Sequence, residues 1–196
     1  MYKTILNYGV LGIARLAYSM LITLIVYRPA RLIRQPAYIR GKSLIVWGRG
    51  FTTGVGMRLD ALGNGDKPKL IIGDRVQLND YVHIGAIDSI VIGDDVLIAS
   101  KVFITDHNHG FYDSPDPLSA PTTPPSVRPW VAKRVVIGNK VWIGENVCIL
   151  PGVTIGEGSI IGAGAIVTHD IPAWCIAVGN PARVIRTFDS DKNQWL

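Results

Sequence analysis

Cysteine is almost missing from this chain: Cys148 and Cys175 are the only two in 196 residues, and no C-x-x-C pair occurs. A disulfide framework and a cysteine-based zinc site are thereby excluded, and the usage fits a reducing compartment, so a cytoplasmic location is expected. Charged residues (18%) and aromatics (8%) are also scarce beside 48% hydrophobic residues and a mean hydropathy of +0.27. Disordered chains show the opposite balance, so most of the chain must fold. A long apolar run is lacking too. Gly9 to Tyr27 comes nearest, but Arg15 interrupts it and leaves about a dozen apolar residues where a bilayer span needs roughly 20. With Arg15 in that place and no A-x-A site after it, a secretory signal is not expected either.

The length suits one domain with appendages. Twenty basic and 15 acidic residues give a net charge of +5 and a pI near 9.3, the sign of an anionic partner: a membrane surface, nucleic acid or a phosphorylated cofactor. Gly9 to Tyr27 is expected to be helical and runs into Arg28, Arg31 and Arg34. Two readings fit it. It can lie in the plane of a membrane with the arginines on anionic headgroups, or it can pack on its own domain or at an oligomer interface.

From Leu44 onward aliphatic residues recur every sixth position: Ile137, Ile143, Ile149, Ile155, Ile161 and Val167. An earlier block repeats at Ile72, Leu78, Ile84 and Ile90, slips by two, and resumes at Ile92, Ile98 and Ile104. A period of six fits neither a helix nor an open strand. It fits short strands joined by tight corners, each hexapeptide sending one aliphatic inward, three to a triangular coil of a β-solenoid. Glycine, Asn and Asp at the corners permit backbone angles that other residues resist. The expected division is an apolar helix and basic connector over 1–43, the solenoid over 44–188, and a tail over 189–196.

Between Ile104 and Val135 the period is lost, and six of the chain's 12 prolines fall there. This looped-out arm, 106–134, is expected to be extended and functional. Where it leaves the solenoid stands Thr105-Asp106-His107-Asn108-His109-Gly110, which puts two imidazoles beside a projecting segment.

The hexapeptide run, this T-D-H-N-H loop and the closing stretch from Val141-Trp142-Ile143-Gly144 to Gly179-Asn180-Pro181-Ala182-Arg183-Val184-Ile185-Arg186 together resemble the hexapeptide-repeat O-acetyltransferases of the left-handed β-helix type. The match covers about residues 44–188. With the N-terminal apolar segment and Gly50 to Gly56, the resemblance is greatest to acetyltransferases of bacterial surface polysaccharide, in particular lipopolysaccharide O-antigen. It implies a left-handed parallel β-helix and a homotrimer with clefts between neighbours. Acetyl-CoA would lie in the cleft as co-substrate, with no metal, and a carbohydrate acceptor would meet it near the loop histidine.

The family's catalytic histidine falls on His107. A sugar hydroxyl is a poor nucleophile, and a neutral imidazole is the usual side chain able to take its proton near pH 7. Acceptor contacts are expected from Asn79, Tyr81, His83, Asp106 and His109, with Asn79 and Tyr81 competing for one family position. Alignment of the closing stretch places Trp142, Gly144, Glu145, Ala163, Thr168, His169, Arg183 and Arg186 at the cofactor, the arginines suiting its phosphates. Backbone N–H groups around Gly144 and Glu145 are candidate oxyanion donors. His169 stands where the sugar branch has lysine, and Glu145 where it has serine. Cys148 has no sequence-local base, which weighs against an acyl-carrying role.

Rival readings are a γ-carbonic-anhydrase-like metal enzyme, drawing on His83, His107 and His109, and an inactive structural solenoid. The first leaves the closing stretch unexplained and lacks that family's histidine spacing. Nucleic acid is not an expected partner, because the basic residues are not interleaved with aromatics in a recognisable motif. Among acceptors, a small free sugar or an antibiotic is the alternative. The N-terminal segment favours a lipid-linked glycan met at the inner face of the cytoplasmic membrane, through contact by residues 1–34.

Overall fold

The computed structural model describes residues 2–113 and 115–196, and no side chains of residues 2–7. The expected boundary at residue 1 and residue 114 of the arm lie outside the described residues. Short strands fill three parallel sheets, which the chain visits in rotation. Face I holds Ile45–Trp47, Leu70–Ile72, Ile90–Ile92, Val135–Ile137 and Thr154–Ile155. Face II runs from Leu32–Ile33 through Thr52–Thr53, Gln77–Leu78, Leu97–Ile98, Trp142–Ile143 and Ile160–Ile161 to Cys175–Val178. Face III holds Tyr38–Arg40, Arg58–Ala61, His83–Ala86, Phe103–Thr105, Cys148–Ile149 and Ile166–Val167. Each turn from face I to II to III returns to lie in register on the turn before. This is the three-sided coil that the six-residue period predicts.

The register explains the core. On face III, Ile84, Ile104, Ile149 and Val167 pair in succession and are all fully buried. Stacking one coil on the next about 4.8 Å away removes each aliphatic from water on both sides. The slip at Ile90 and Ile92 also has a reason. The longer face I strands send two residues inward, as in Trp47 with Ile45, Ile72 with Leu70, and Ile92 with Ile90. At the corner after face II, coils approach so closely that a Cβ on Gly144 would lie 2.6 Å from the Ala163 nitrogen. Only glycine fits there.

Two expected boundaries move. The solenoid starts before residue 44, because Leu32–Ile33 pairs with Thr52–Thr53 and Tyr38–Arg40 with Arg58–Asp60. Ile33, Ile39 and Ile45 already keep the spacing of six, with Ile33 fully buried, so the repeat starts one coil before the expected boundary. The tail is not free either. Arg183–Asp189 runs antiparallel on Cys175–Val178, and Gln194–Trp195 folds back on it, covering the last edge of face II. The arm opens and closes as an antiparallel pair, His107–His109 with Trp130–Ala132.

Helix α1, Tyr2–Val26, is interrupted at Gly9, whose φ of 63° is not helical. It is fastened to the first coil along one side. The Thr23 hydroxyl accepts from Ile33 N–H at 2.8 Å, Ser19 Oγ accepts from Gln35 N–H at 3.1 Å, and Arg34 donates to the Tyr8 hydroxyl at 3.2 Å. The other side shows Leu11, Tyr18, Leu21 and Ile25 to solvent, and only 11% of Tyr8–Val26 is buried. By length and apolar composition alone the helix could cross a membrane, but its bonded side is committed to the solenoid.

Truncating the stack tests this account of the core. Ile149→Ala should cost about 2–5 kcal/mol and Ile149→Val about 0.5–1.5 kcal/mol, read from urea midpoints at one protein concentration. Equal midpoints for Ile149→Ala and wild type would contradict it.

Candidate active site

The arm leaves face III at Thr105, and the next residue is a fully buried carboxylate. Asp106 accepts from the backbone N–H groups of Ile87, Asp88 and Ser89 at 2.8–3.1 Å. Thus one side chain ties the arm's root to the corner of the coil below. The same carboxylate meets His107 Nδ1 at 3.0 Å, with Thr105 Oγ1 at 3.1 Å from that nitrogen. A carboxylate held by N–H donors takes a further N–H, so the proton sits on Nδ1. Nε2 keeps its lone pair and has no hydrogen-bond partner among the described residues. The ring is one-fifth exposed.

A cavity of about 410 Å³ opens in front of it, lined by Arg40, Arg58, Asp60, His83, Phe103, His109 and Trp130 among others. Gly85 makes the room. It stands in register between Asp60 and Thr105, and a Cβ there would come within 3.5 Å of the His107 ring and 4.0 Å of His83 Nε2. Trp130, carried back by the far strand of the arm, closes the cavity with ring centroids 5.8 Å from His107 and 6.0 Å from His109.

A second histidine–aspartate pair faces the same space. His83 Nε2 lies 3.1 Å from Asp60, whose oxygens also receive Arg40 at 2.5 and 2.7 Å and Arg58 at 2.7 Å. The Arg40 hydrogen bonds, foremost, hold the Asp60 carboxyl down at about 2, with His83 and Arg58 assisting against burial. Burial pushes His83 below the usual imidazole value, opposed by its bond to Asp60. His83 is therefore neutral at pH 7.

The expected acceptor residues do not all gather. His83, His109 and His107 line this cavity, with Asp106 behind it. Asn79 lines a different one, on the face II side with Arg31 and Arg34, and Tyr81 is an exposed corner residue with φ 57°. Arg40, Arg58, Asp60 and Trp130 escaped the sequence reading. The first three precede the block where the period is regular, and Trp130 joins the site only by the arm's pairing. A residue-by-residue register of 58–61 on 83–86 would have exposed Asp60.

The expected cofactor residues fall on the strands at the end of face II and on two corners of the chain. Trp142, half exposed, stands in an outward row of face II with Ile160, Ile176 and Arg186. Gly144, Glu145 and Ala163 form the corner beside it, while Thr168 and His169, 2.7 Å apart, sit at the next corner, after face III. Arg183 and Arg186 are exposed and in no ion pair among the described residues, which suits cations that receive an external phosphate. Gly144 is removed as an oxyanion donor, since its N–H is taken by the Ile161 carbonyl at 2.8 Å.

Comparison with known proteins gives a consistent result. Residues 134–169 match the family described as bacterial transferase hexapeptide (six repeats). Over 189 residues the chain is 47% identical to WbbJ of Escherichia coli (strain K12), named "Putative lipopolysaccharide biosynthesis O-acetyl transferase", spanning 96% of this chain and 95% of that protein. A mutant of AntD, an N-acyltransferase from Bacillus cereus, solved with dTDP and coenzyme A, has a TM-score of 0.67 and 25% identity, covering 81% of this chain and 80% of that one. A galactoside acetyltransferase in complex with coenzyme A has a TM-score of 0.53 and 32% identity, covering 80% of this chain and 62% of that one.

The Asp60 cluster makes acid stability predictable. Its folded value near 2 lies below the ordinary 3.8, so its contribution is complete above about pH 4 and lost as pH falls toward 2, about 2 kcal/mol in all. Urea midpoints across that range should fall for wild type and stay flatter for Asp60→Asn. Parallel curves would assign the ion cluster no role.

Proposed function

Because the chain belongs to the hexapeptide-repeat acetyltransferases, we propose that it acetylates a sugar hydroxyl of a bacterial surface polysaccharide or its lipid-linked precursor, with His107 as general base. It is an acyltransferase with acetyl-CoA as co-substrate, which supplies the activated acyl group. The observation that carries the reading is the His107–Asp106 pair: Nδ1 is held by a buried carboxylate and Nε2 is free beside a cavity. His107 Nε2 takes the proton from the acceptor hydroxyl as its oxygen attacks the thioester carbonyl, and returns it to the departing sulfur. Asp106 keeps the ring in the basic tautomer and steadies the imidazolium. Glu145 N–H, without a backbone partner among the described residues, is the remaining expected oxyanion donor.

A homotrimer of left-handed prisms, the assembly that the family resemblance implies, would complete the site. His107 and the row from Trp142 to Arg186 lie on different sides of one chain, and a neighbour would bring face II of one protomer opposite face III of the next. Face I carries an outward aliphatic row, Val46, Ile71, Val91 and Val136, with Val46 and Ile71 exposed. Such a row suits the buried contact. The apolar outer side of α1, followed by Arg28, Arg31 and Arg34, supports an enzyme resting on the cytoplasmic membrane's inner face.

His107→Ala should lower acetyl transfer about 10²–10⁴-fold, measured as O-acetyl content of the surface polysaccharide in cells lacking the wild-type copy, while calorimetric acetyl-CoA binding is kept. Transfer at the wild-type level sinks the base assignment. Arg183→Ala should weaken acetyl-CoA binding about tenfold. Co-expressing the two variant chains should restore part of the acetylation, because mixed trimers form some clefts with both residues intact. No restoration, in trimers shown to be mixed, would remove the shared cleft.

A further inference from the structure

The acetyl-transfer reading leaves a polar cavity of the N-terminal coils unused. It measures about 430 Å³ and is lined by Arg31, Arg34, Thr52, Gln77, Asn79 and Asp80 among others. Its two ends differ in chemistry. At the first coil stand two guanidinium groups, flanking the strand Leu32–Ile33. Arg31 makes no side-chain hydrogen bond or ion pair among the described residues. Arg34 is held in place by the Tyr8 hydroxyl at 3.2 Å and by the Tyr8 ring, 5.6 Å from its carbon. Two or three strands further along face II come the amides of Gln77 and Asn79, the Ser100 hydroxyl and the Asp80 carboxylate, groups that bind sugar hydroxyls. Asp80 would repel an anion at its own end, but one of its oxygens is occupied by Val55 N–H at 2.8 Å. It stands in the corner after the third strand of the face, away from Leu32.

The position along the coil axis gives this polarity a direction. Leu32, Thr52, Gln77, Leu97, Trp142, Ile160, Ile176 and Arg186 form one outward row on face II. Leu97 belongs to the coil that ends in Phe103–Thr105 and His107, so the histidine lies at the level of the fourth strand in that row. The expected cofactor residues occupy the levels beyond it, and the polar cavity runs from the first coil up to Ser100 at the histidine's own level. A second, smaller cavity of about 140 Å³ adjoins on the helix side. It lies on the bonded side of α1, walled by Tyr8, Leu16 and Val55 together with the polar Arg15, Ser19 and Gln35, and shares Arg34 with the first. The arginine pair, the hydroxyl-binding groups and the histidine level thus follow one another along the axis from the end that carries α1.

We propose that this cavity binds the diphosphate and first sugar of the acceptor, the arginines taking the diphosphate and the groups around Asn79 the sugar. A diphosphate offers two adjacent charges to two guanidiniums, each able to bond it bidentately. The sources of that chemistry are a diphosphate on a membrane-held polyprenyl chain and a soluble sugar nucleotide, and the exposed apolar side of α1, with Leu11, Tyr18, Leu21 and Ile25, favours the first. The inference rests on the acetyltransferase reading and deepens it by naming the class of acceptor.

The test uses full-length protein saturated with coenzyme A, which occupies the Arg183 and Arg186 site. Binding is measured to phosphatidylcholine vesicles carrying polyprenyl diphosphate glucose, to vesicles of equal charge made with phosphatidylglycerol, and to UDP-glucose in solution. The diphosphate vesicles should bind best, and Arg31→Ala should cost that preference about tenfold, with Arg31→Lys between the two and acetyl-CoA binding unchanged. Tight, Arg31-dependent binding of UDP-glucose instead would keep the site and assign it the soluble source. Equal binding to both charged vesicles, or no effect of Arg31 on any probe, would overturn the proposal. Failure of wild type to bind acetyl-CoA would strike the acetyltransferase reading itself, a result distinguishable from either.

Discussion

Everything in this molecule depends on the stacking of one coil directly on the next. The inward aliphatics cannot be buried singly, since each hexapeptide contributes one or two, and only a neighbour in register closes the column above and below. That demand sets the height of every corner. Outward side chains inherit it and fall into rows, so Arg58 meets His83 and His83 meets Phe103. Residues twenty or more positions apart become neighbours as a by-product of the core.

On this scaffold, buried carboxylates do the local fixing. Asp106 and Asp60 are both almost wholly buried, and each is surrounded by donors, the first by backbone N–H groups and the second by two arginines and a histidine. A carboxylate withdrawn from water needs such partners. The consequence is rigidity in the two imidazoles they hold. The orientation of both rings follows from these partners, while burial lowers the His83 value against its bond to Asp60, and Gly85 leaves the gap between the rings open.

Along the axis the chain separates its tasks by height. Basic and hydroxyl-binding groups lie at the first coils, the histidine pair at the middle, and the exposed arginines on the last strands. Around the axis it separates side chains by face, with the histidines off face III and the row of Trp142, Ile160, Ile176 and Arg186 on face II. The helix at the first coil adds a third constraint, because its bonded side fixes which way its apolar side looks.

The repeat, the looped-out arm and the Asp106-His107 adjacency were legible from residue order, because a period of six in aliphatics has one economical physical meaning and neighbours in sequence are neighbours in space. The returning tail was not, since Gln194–Trp195 holds its place by pairing and not by periodic burial, whereas the first coil keeps the period at Ile33, Ile39 and Ile45 and went unread. Asn79 and His83 look equivalent in the sequence, four residues apart beside a corner, yet the turn at Tyr81 sends them to different faces and different cavities. Trp130 reaches His107 only because the arm pairs antiparallel across 20 intervening residues. The sequence by itself thus determined which residues point inward and where regularity breaks, both set by local periodicity. Tertiary structure alone decided which outward residues share a cavity, because that depends on coil register and on how each insertion returns the chain to the stack.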